Sequence, residues 1–242
     1  MNISTHGNYL VRLTRLIAFN CYLVREDDGF TLIDTGLPGS AKDIIKAAEK
    51  LGAPIRRIVL THAHMDHVGS LDALHALLPD AEVAISARDA RFLAGDRSLD
   101  ADEPQLPLRG GYQVCSTKPT RLLNGGDKVG SLEVIATPGH TPGSVAYFDQ
   151  RDRTLIAGDA YSTQAGIVTG GSLRLLFPFH AIATWSKPLA LRSGEVMRDL
   201  KPSRLAVGHG AVIENPLTAM DGAIAEAKQN LSRTQNVTQK AR

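Results

Sequence analysis

The feature that most constrains this chain is a seven-residue run, Thr61-His62-Ala63-His64-Met65-Asp66-His67. It follows directly on residues 55–60 (IRRIVL), which read as a buried strand. Three imidazoles and a carboxylate within six residues supply neutral nitrogen donors and an anion, the set a divalent cation takes. On a tight loop at a strand end, alternate side chains can converge on a point while their neighbours face elsewhere. A solvated polar loop is the plain alternative.

The same test, a metal-type side chain just past a predicted strand, picks out three more residues. His140 lies in Thr137-Pro138-Gly139-His140-Thr141-Pro142-Gly143, after Leu132–Ala136. Asp159 lies in Gly158-Asp159-Ala160, after residues 154–157, and His209 in Gly208-His209-Gly210, after residues 204–207. Flanking glycines permit close backbone approach. Each residue alone reads as readily as a turn former. With the run, they absorb five of the eight histidines.

Around these candidates the pattern predicts strands at 9–13, 17–24, 30–33, 55–60 and Glu82–Ser86. A helix is expected over 40–51, with Ile44, Ala48 and Leu51 on one face behind a Ser40 cap, and another over 71–78, closed by Pro79. The second half repeats the grammar: strands at Leu132–Ala136, 144–148, 154–157 and 204–207, helices over 186–200 and 216–231. Strands bunched ahead of helices, twice over, predict two similar α/β halves packed sheet against sheet with helices outside. Residues 88–119 and 164–184 read as irregular functional loops or lids. The expected organisation is a single domain over 1–231 with a frayed polar tail over 232–242.

Composition narrows the function classes. With 242 residues, 43% of them hydrophobic and a net charge of +2, the chain reads as a folded globular protein. No basic block exceeds Arg56-Arg57, so no nucleic-acid footprint is present. The start shows no signal-peptide pattern, and no apolar run approaches the ~18–20 residues of a membrane span. A cytoplasmic protein without nucleic-acid or membrane partners is expected. Cys21 and Cys115 are too few for a disulfide scaffold, and Cys21 reads as an inert buried thiol.

The string His62-x-His64-x-Asp66-His67, followed in order by His140, Asp159 and His209, resembles the metallo-β-lactamase superfamily. The resemblance runs from residues 17–24 through the Ile33-Asp34-Thr35-Gly36 turn to the final Gly208-His209-Gly210. It implies an α+β fold, the αββα four-layer sandwich. It also implies two metal ions, one held by His62, His64 and His140 and the other by Asp66, His67 and His209. Asp159 and a water or hydroxide would bridge them. Zinc is the default, and iron, manganese or cobalt suit the same donors. Asp34 reads either as a turn former or, by the resemblance, as the residue that orients a ligating histidine.

Such a centre would make hydroxide available at neutral pH and polarise a carbonyl, which points to hydrolysis of an ester-like bond. Asp66 is a candidate proton shuttle to the leaving group. Tyr161 would place a phenol near the metals, or else packs as a loop tyrosine. Phe177, Phe179 and Trp185 would line an apolar groove for an acyl chain or aromatic ring, or else form core or a dimer contact. His180 would touch substrate or is a loop histidine without a role. His6 and His75 read as structural.

Departures weigh the branches of that superfamily. The exported β-lactam hydrolases lack a bridging Asp of the Asp159 type. The glyoxalase II thioesterases share all seven ligands but carry a helical domain after the last histidine, where 33 residues follow His209 here. Persulfide dioxygenases use one iron and leave Asp66 and His67 without a task. Acyl-homoserine lactonases match in ligands and length, yet place a Tyr three residues after the bridging Asp, where this chain has Ser162. The expectation is a lactonase-like hydrolase of small-molecule substrates, a homodimer being compatible. A thioester or general ester hydrolase comes next, and a catalytically silent ligand-binding protein third.

Overall fold

Residues 21–24 (CYLV) are buried at every position, and a strand apolar on both sides needs cover on both sides. The computed structural model, which describes residues 1–240 and their side chains through Thr234, shows how that cover is supplied. The first half comprises Asn2–His6 (β1), Leu10–Arg15 (β2), Phe19–Glu26 (β3), Gly29–Ile33 (β4), Ala41–Lys50 (α1), Ile55–Val59 (β5), Met65–Val68 (α2), Leu71–Leu77 (α3), Glu82–Ser86 (β6), Ala87–Leu93 (α4) and Arg121–Leu123 (β7). The second comprises Lys128–Val129 (β8), Leu132–Ala136 (β9), Val145–Asp149 (β10), Thr154–Ile156 (β11), Tyr161–Ser162 (β12), Val168–Thr169 (β13), Phe179–Ala183 (α5), Lys187–Asp199 (α6), Arg204–Ala206 (β14), Ile213–Glu214 (β15) and Leu217–Lys240 (α7).

Among the described residues, β1 to β7 form one sheet in sequence order, and the second runs β15-β14-β11-β10-β9-β8. The alternation of side chains sorts each strand between layers. On β3, Cys21 and Leu23 pack with Ile44 and Ala48 of α1, while Tyr22 and Val24 face Val134 and Tyr147 of the other sheet. On β10, Val145 and Tyr147 join that middle layer, and Ala146 and Phe148 turn outward to Met197 of α6 and Met220 of α7. Each fully buried side chain of this size contributes about 1.5–3 kcal/mol. The result is the αββα sandwich, with helices on both outer faces.

Several boundaries differ from expectation. The segment expected to be irregular from residue 88 begins with α4, whose N-cap hydroxyl, Ser86 Oγ, accepts the Asp89 N–H. Strands β1 and β7 extend the first sheet beyond the predicted set. Ser40 stands before α1 without capping it, because its hydroxyl donates to the Leu37 carbonyl and accepts from Arg15. The last helix continues through Lys240, past the expected start of a tail, and residues 241–242 of that tail lie outside the described residues.

Candidate metal centre

Parallel pairing brings loop-bearing strand ends together. β4 pairs with β5 (Ile33↔Val59) and β11 with β14 (Ile156↔Ala206), so Asp34 and Thr61 emerge side by side in one sheet, Asp159 and His209 in the other. The two sheets are tied at this edge by buried hydrogen bonds. The Tyr22 hydroxyl and the Asn20 amide both donate to the Val207 carbonyl, at 2.7 and 2.9 Å, and the Tyr147 hydroxyl donates to the Leu60 carbonyl at 2.7 Å. The Phe19 ring meets the His209 ring edge-on at 5.2 Å.

The seven candidate ligands converge as two groups: His62, His64 and His140, and Asp66, His67, Asp159 and His209. Within each group the donor atoms lie within 4.8 Å of one another, and all but Asp66 are buried. Asp159 reaches both groups. Its Oδ1 lies 3.4 Å from His67 Nε2, and its Oδ2 lies 3.0 Å from His209 Nε2 and 3.5 Å from His140 Nε2. Asp66 Oδ2 approaches His209 Nε2 at 3.2 Å.

Hydrogen bonds behind the rings fix which nitrogen carries the proton. Asp34, held at a positive φ of 60° that Asp tolerates, accepts from Thr61 N–H, Thr61 Oγ1 and His67 Nδ1, each at 2.8 Å. The single Thr61 hydroxyl proton is thereby committed, so its oxygen accepts from His62 Nδ1 at 3.0 Å. His64 Nε2 donates to the Arg109 carbonyl at 3.0 Å, since a carbonyl offers only lone pairs. His140 Nδ1 donates to Thr184 Oγ1 at 3.2 Å, because that hydroxyl spends its own proton on the His180 carbonyl. His209 Nδ1 donates to the Ala18 carbonyl at 3.3 Å.

Every ring therefore spends one nitrogen outward and turns the other inward. His62 Nε2, His67 Nε2 and Asp159 Oδ1 are buried with no hydrogen-bond partner among the described residues. Each buried group left unmatched costs about 1–3 kcal/mol. His64 Nδ1 and His140 Nε2, both lone-pair atoms, face each other at 3.0 Å. Two lone pairs at that separation need a proton or a cation between them. Burial holds the His64 ring down to about 4 and pushes His140 and His62 below the usual imidazole range, which disfavours the proton. Burial would lower His67 and His209 too, but the Asp159 carboxylate and its acidic neighbours outweigh it, holding His209 up at about 9. Neutral imidazoles on one side and carboxylates on the other fit two divalent cations.

Two glycines leave room for this packing. A Cβ on Gly208 would run into Asp159 Oδ1 and come within 2.6 Å of His67 Cε1. A Cβ on Gly110 would strike the His64 ring, and its φ of +81° already favours glycine.

The sequence pattern of the Metallo-beta-lactamase superfamily matches residues 18–209, most of the chain and a span that contains all seven of these side chains. The chain belongs to this superfamily. It is 52% identical over 215 residues to the uncharacterized protein YobT of Bacillus subtilis, covering 88% of this chain and 92% of that one. It is 32% identical over 188 residues to the acyl-coenzyme A thioesterase MBLAC2 of Gallus gallus, covering 69% of this chain and 63% of that one. Among solved structures, the di-iron-bound form of TTHA1623 superposes with a TM-score of 0.62 at 26% identity, over 88% of this chain and 97% of that one.

In this superfamily member the other candidates divide. Phe177, Phe179 and His180 line a cavity of about 310 Å³ beside His64, Asp66, His140, Asp159 and His209. The His180 Nε2–H donates to the Asp159 main-chain carbonyl at 3.0 Å. Tyr161 does not reach the metal groups. It is fully buried with Met197 and Met220 in the outer core, and its hydroxyl donates to the Gly194 carbonyl at 2.9 Å. Trp185 does not line the cavity either, because its indole N–H is drawn to the Leu106 carbonyl at 3.1 Å, tying residue 106 to the start of α6. Both polar hydrogens find backbone acceptors remote in sequence, 33 and 79 residues away, which no local pattern encodes.

Sequence reasoning passed over Asp89. Its carboxylate accepts from Ala63 N–H at 3.0 Å, Gly143 N–H at 2.8 Å and the Thr141 hydroxyl at 2.7 Å. It clamps the loop of His62 and His64 to the loop of His140. An acidic residue three positions after a helix-capping Ser86 was the available signal, but it pointed only to a helix start.

Proposed function

We propose that this chain hydrolyses an ester-like bond in a small molecule with an apolar acyl part, a thioester being the favoured bond. The observation that carries the reading is Asp159, whose two carboxylate oxygens reach into both donor groups at once. With two divalent cations bound, zinc first and iron next in view of the di-iron structural relative, the centre would supply hydroxide at neutral pH and polarise the acyl carbonyl. His62, His64 and His140 would hold one ion and Asp66, His67 and His209 the other, with Asp159 between them. Asp34, Thr61, the Arg109 carbonyl and Thr184 take the outward protons, so that each ring would offer its inward nitrogen to a bound ion.

Burial would raise the Asp66 carboxyl, but the neighbouring His67 and His209 rings hold it below the usual carboxylate range. Asp66 would take up the proton released by the attacking water and pass it to the leaving group. Its side chain is 25% exposed and borders the cavity, while the Asp159 side chain is 5% exposed. Phe19, Phe177, Phe179 and Ile182 give the cavity an apolar wall, which binds an acyl chain and keeps water from the reacting carbonyl. The thioester takes precedence over the lactone for two reasons. The phenol that a lactone-directed site would use is turned away at Tyr161, and a relative at 32% identity carries the name of an acyl-coenzyme A thioesterase.

The test is elemental analysis paired with initial rates on an acyl thioester, a lactone and an aryl ester. About two metals per chain with fastest thioester cleavage supports the proposal. A lactone cleaved fastest moves the reading to a lactonase. Metal-loaded protein inert on all three makes the chain a ligand-binding member and ends the proposal.

A further inference from the structure

Residues 1–25, 104–126 and 160–194 contain no Asp or Glu, although 25 of the 242 residues are acidic. All three segments meet at the mouth of the metal centre: Phe19 from the first, Gly110 and Gly111 from the second, and Phe177, Phe179 and Ile182 from the third line the same cavity. Arg12, Arg15 and Arg109 from these segments have no carboxylate partner among the described residues, whereas most other ordered arginines of the surface sit in ion pairs. A second depression, of about 680 Å³, opens beside His209 at Gly210 and is lined by Arg12, Thr14, Arg15, Leu16, Ile17 and Gln164.

Large apolar side chains protrude around this mouth instead of lining it. Leu175 and Leu176 are 87% and 90% exposed, and Ile17 is 88% exposed at the tip of the β2–β3 hairpin. Leu16 and Ile17 both hold positive φ, 49° and 69°, a conformation that a β-branched residue adopts reluctantly. Strain of this kind, used to display apolar groups to water, marks a surface meant to be covered.

We propose that this face docks onto an anionic lipid surface, Leu16, Ile17, Leu175 and Leu176 entering the headgroup region while Arg12, Arg15 and Arg109 meet lipid phosphates. A second copy of the chain is a poor occupant, because a two-fold contact would set the same arginine-bearing surface around the mouth, poor in carboxylates, against itself. The docking does not depend on which bond is cleaved. The absence of a membrane partner was expected from the lack of a spanning run. None of the described helices is long and apolar enough to cross a membrane, and surface docking needs none.

The test is co-sedimentation of the metal-loaded full chain with vesicles of phosphatidylcholine alone or mixed with phosphatidylglycerol. Binding to the anionic vesicles should exceed binding to the neutral ones by about tenfold or more, and fall as salt is raised. The double variant Leu175→Ser/Leu176→Ser, and independently Ile17→Ser, should lower anionic-vesicle binding by about tenfold with an unchanged melting curve. Equal or absent binding to the two vesicle types overturns the proposal. So does a stable dimer in solution that Leu175→Ser/Leu176→Ser converts to monomer, which would assign the face to a second copy.

Discussion

His64 Nδ1 and His140 Nε2 stand 3.0 Å apart with both ring protons turned outward, one to the Arg109 carbonyl and the other to Thr184 Oγ1. Two loops 76 residues apart in sequence thus aim lone pairs at each other, which is a repulsive arrangement until a cation enters. The stability of the protein is therefore tied to its metal.

Stripping the metal should lower Tm. An ion present at ~1,000 times its Kd stabilises by about 4 kcal/mol, and a domain of this size shifts by roughly 2–4 °C per kcal/mol. A drop on the order of 10 °C on chelation, reversed by adding metal, is expected in scanning calorimetry. Identical melting with and without metal would mean that the facing rings share a proton.

Asp34→Ala should weaken metal binding without touching a proposed ligand. It removes the acceptor for His67 Nδ1 and for Thr61 Oγ1, freeing both His67 and His62 to take the wrong tautomer. Loss of an orienting partner of this kind lowers metal affinity or activity by about 10- to 100-fold. Competition with a chromophoric chelator measures it, and affinity within twofold of the parent would count against the relay.

Gly208→Ala tests the space around Asp159 by adding one methyl group. Gly208 does not hold positive φ, so the substitution acts through its Cβ, which would collide with Asp159 Oδ1. Metal content should fall below one ion per chain and turnover should drop by about 100-fold or more, by analogy with loss of an orienting partner. Elemental analysis and rates on one preparation decide it.

Phe177→Ala should raise KM for long acyl chains by about tenfold and for short ones much less. Phe177 is buried at the cavity wall with its ring 5.2 Å from that of His209, and each methylene it covers is worth about 0.8 kcal/mol. Phe179, 63% exposed, should show the same trend more weakly. Equal changes in KM across chain lengths would remove the acyl groove from the proposal.

Asp89 gives a pH signature. Burial pushes its carboxyl up to about 6, against the pull of its Thr141, Ala63 and Gly143 donors. Between about 4 and 6 the folded state then binds more protons than the unfolded one, so this residue's share of stability is greatest below pH 4 and is lost as pH rises through 6. Asp89→Asn should flatten that slope. It should also destabilise by about 1–3 kcal/mol, because an amide NH₂ would face a backbone N–H. Denaturant melts at about unit pH steps from roughly 4 to 7 would show a parallel slope in the variant if Asp89 has no such role.

Much of the site was legible in the chain itself. The run His62 to His67, with His140, Asp159 and His209 each just past a strand, marked the ligand candidates, because strand ends and metal-type side chains are local signals. The two-sheet architecture was equally legible, since strands bunched ahead of helices, twice over along the chain, call for two halves packed sheet against sheet. The tertiary structure alone decided which nitrogen of each ring faces inward, because that depends on partners such as Arg109, Thr184 and Ala18, which lie 44 to 191 residues away. It alone turned Tyr161 into the outer core, bound Trp185 to Leu106 and brought in Asp89 as the clamp between two ligand loops. Local periodicity and composition fix what a residue offers, whereas a hydrogen bond across the fold fixes where that offer is spent.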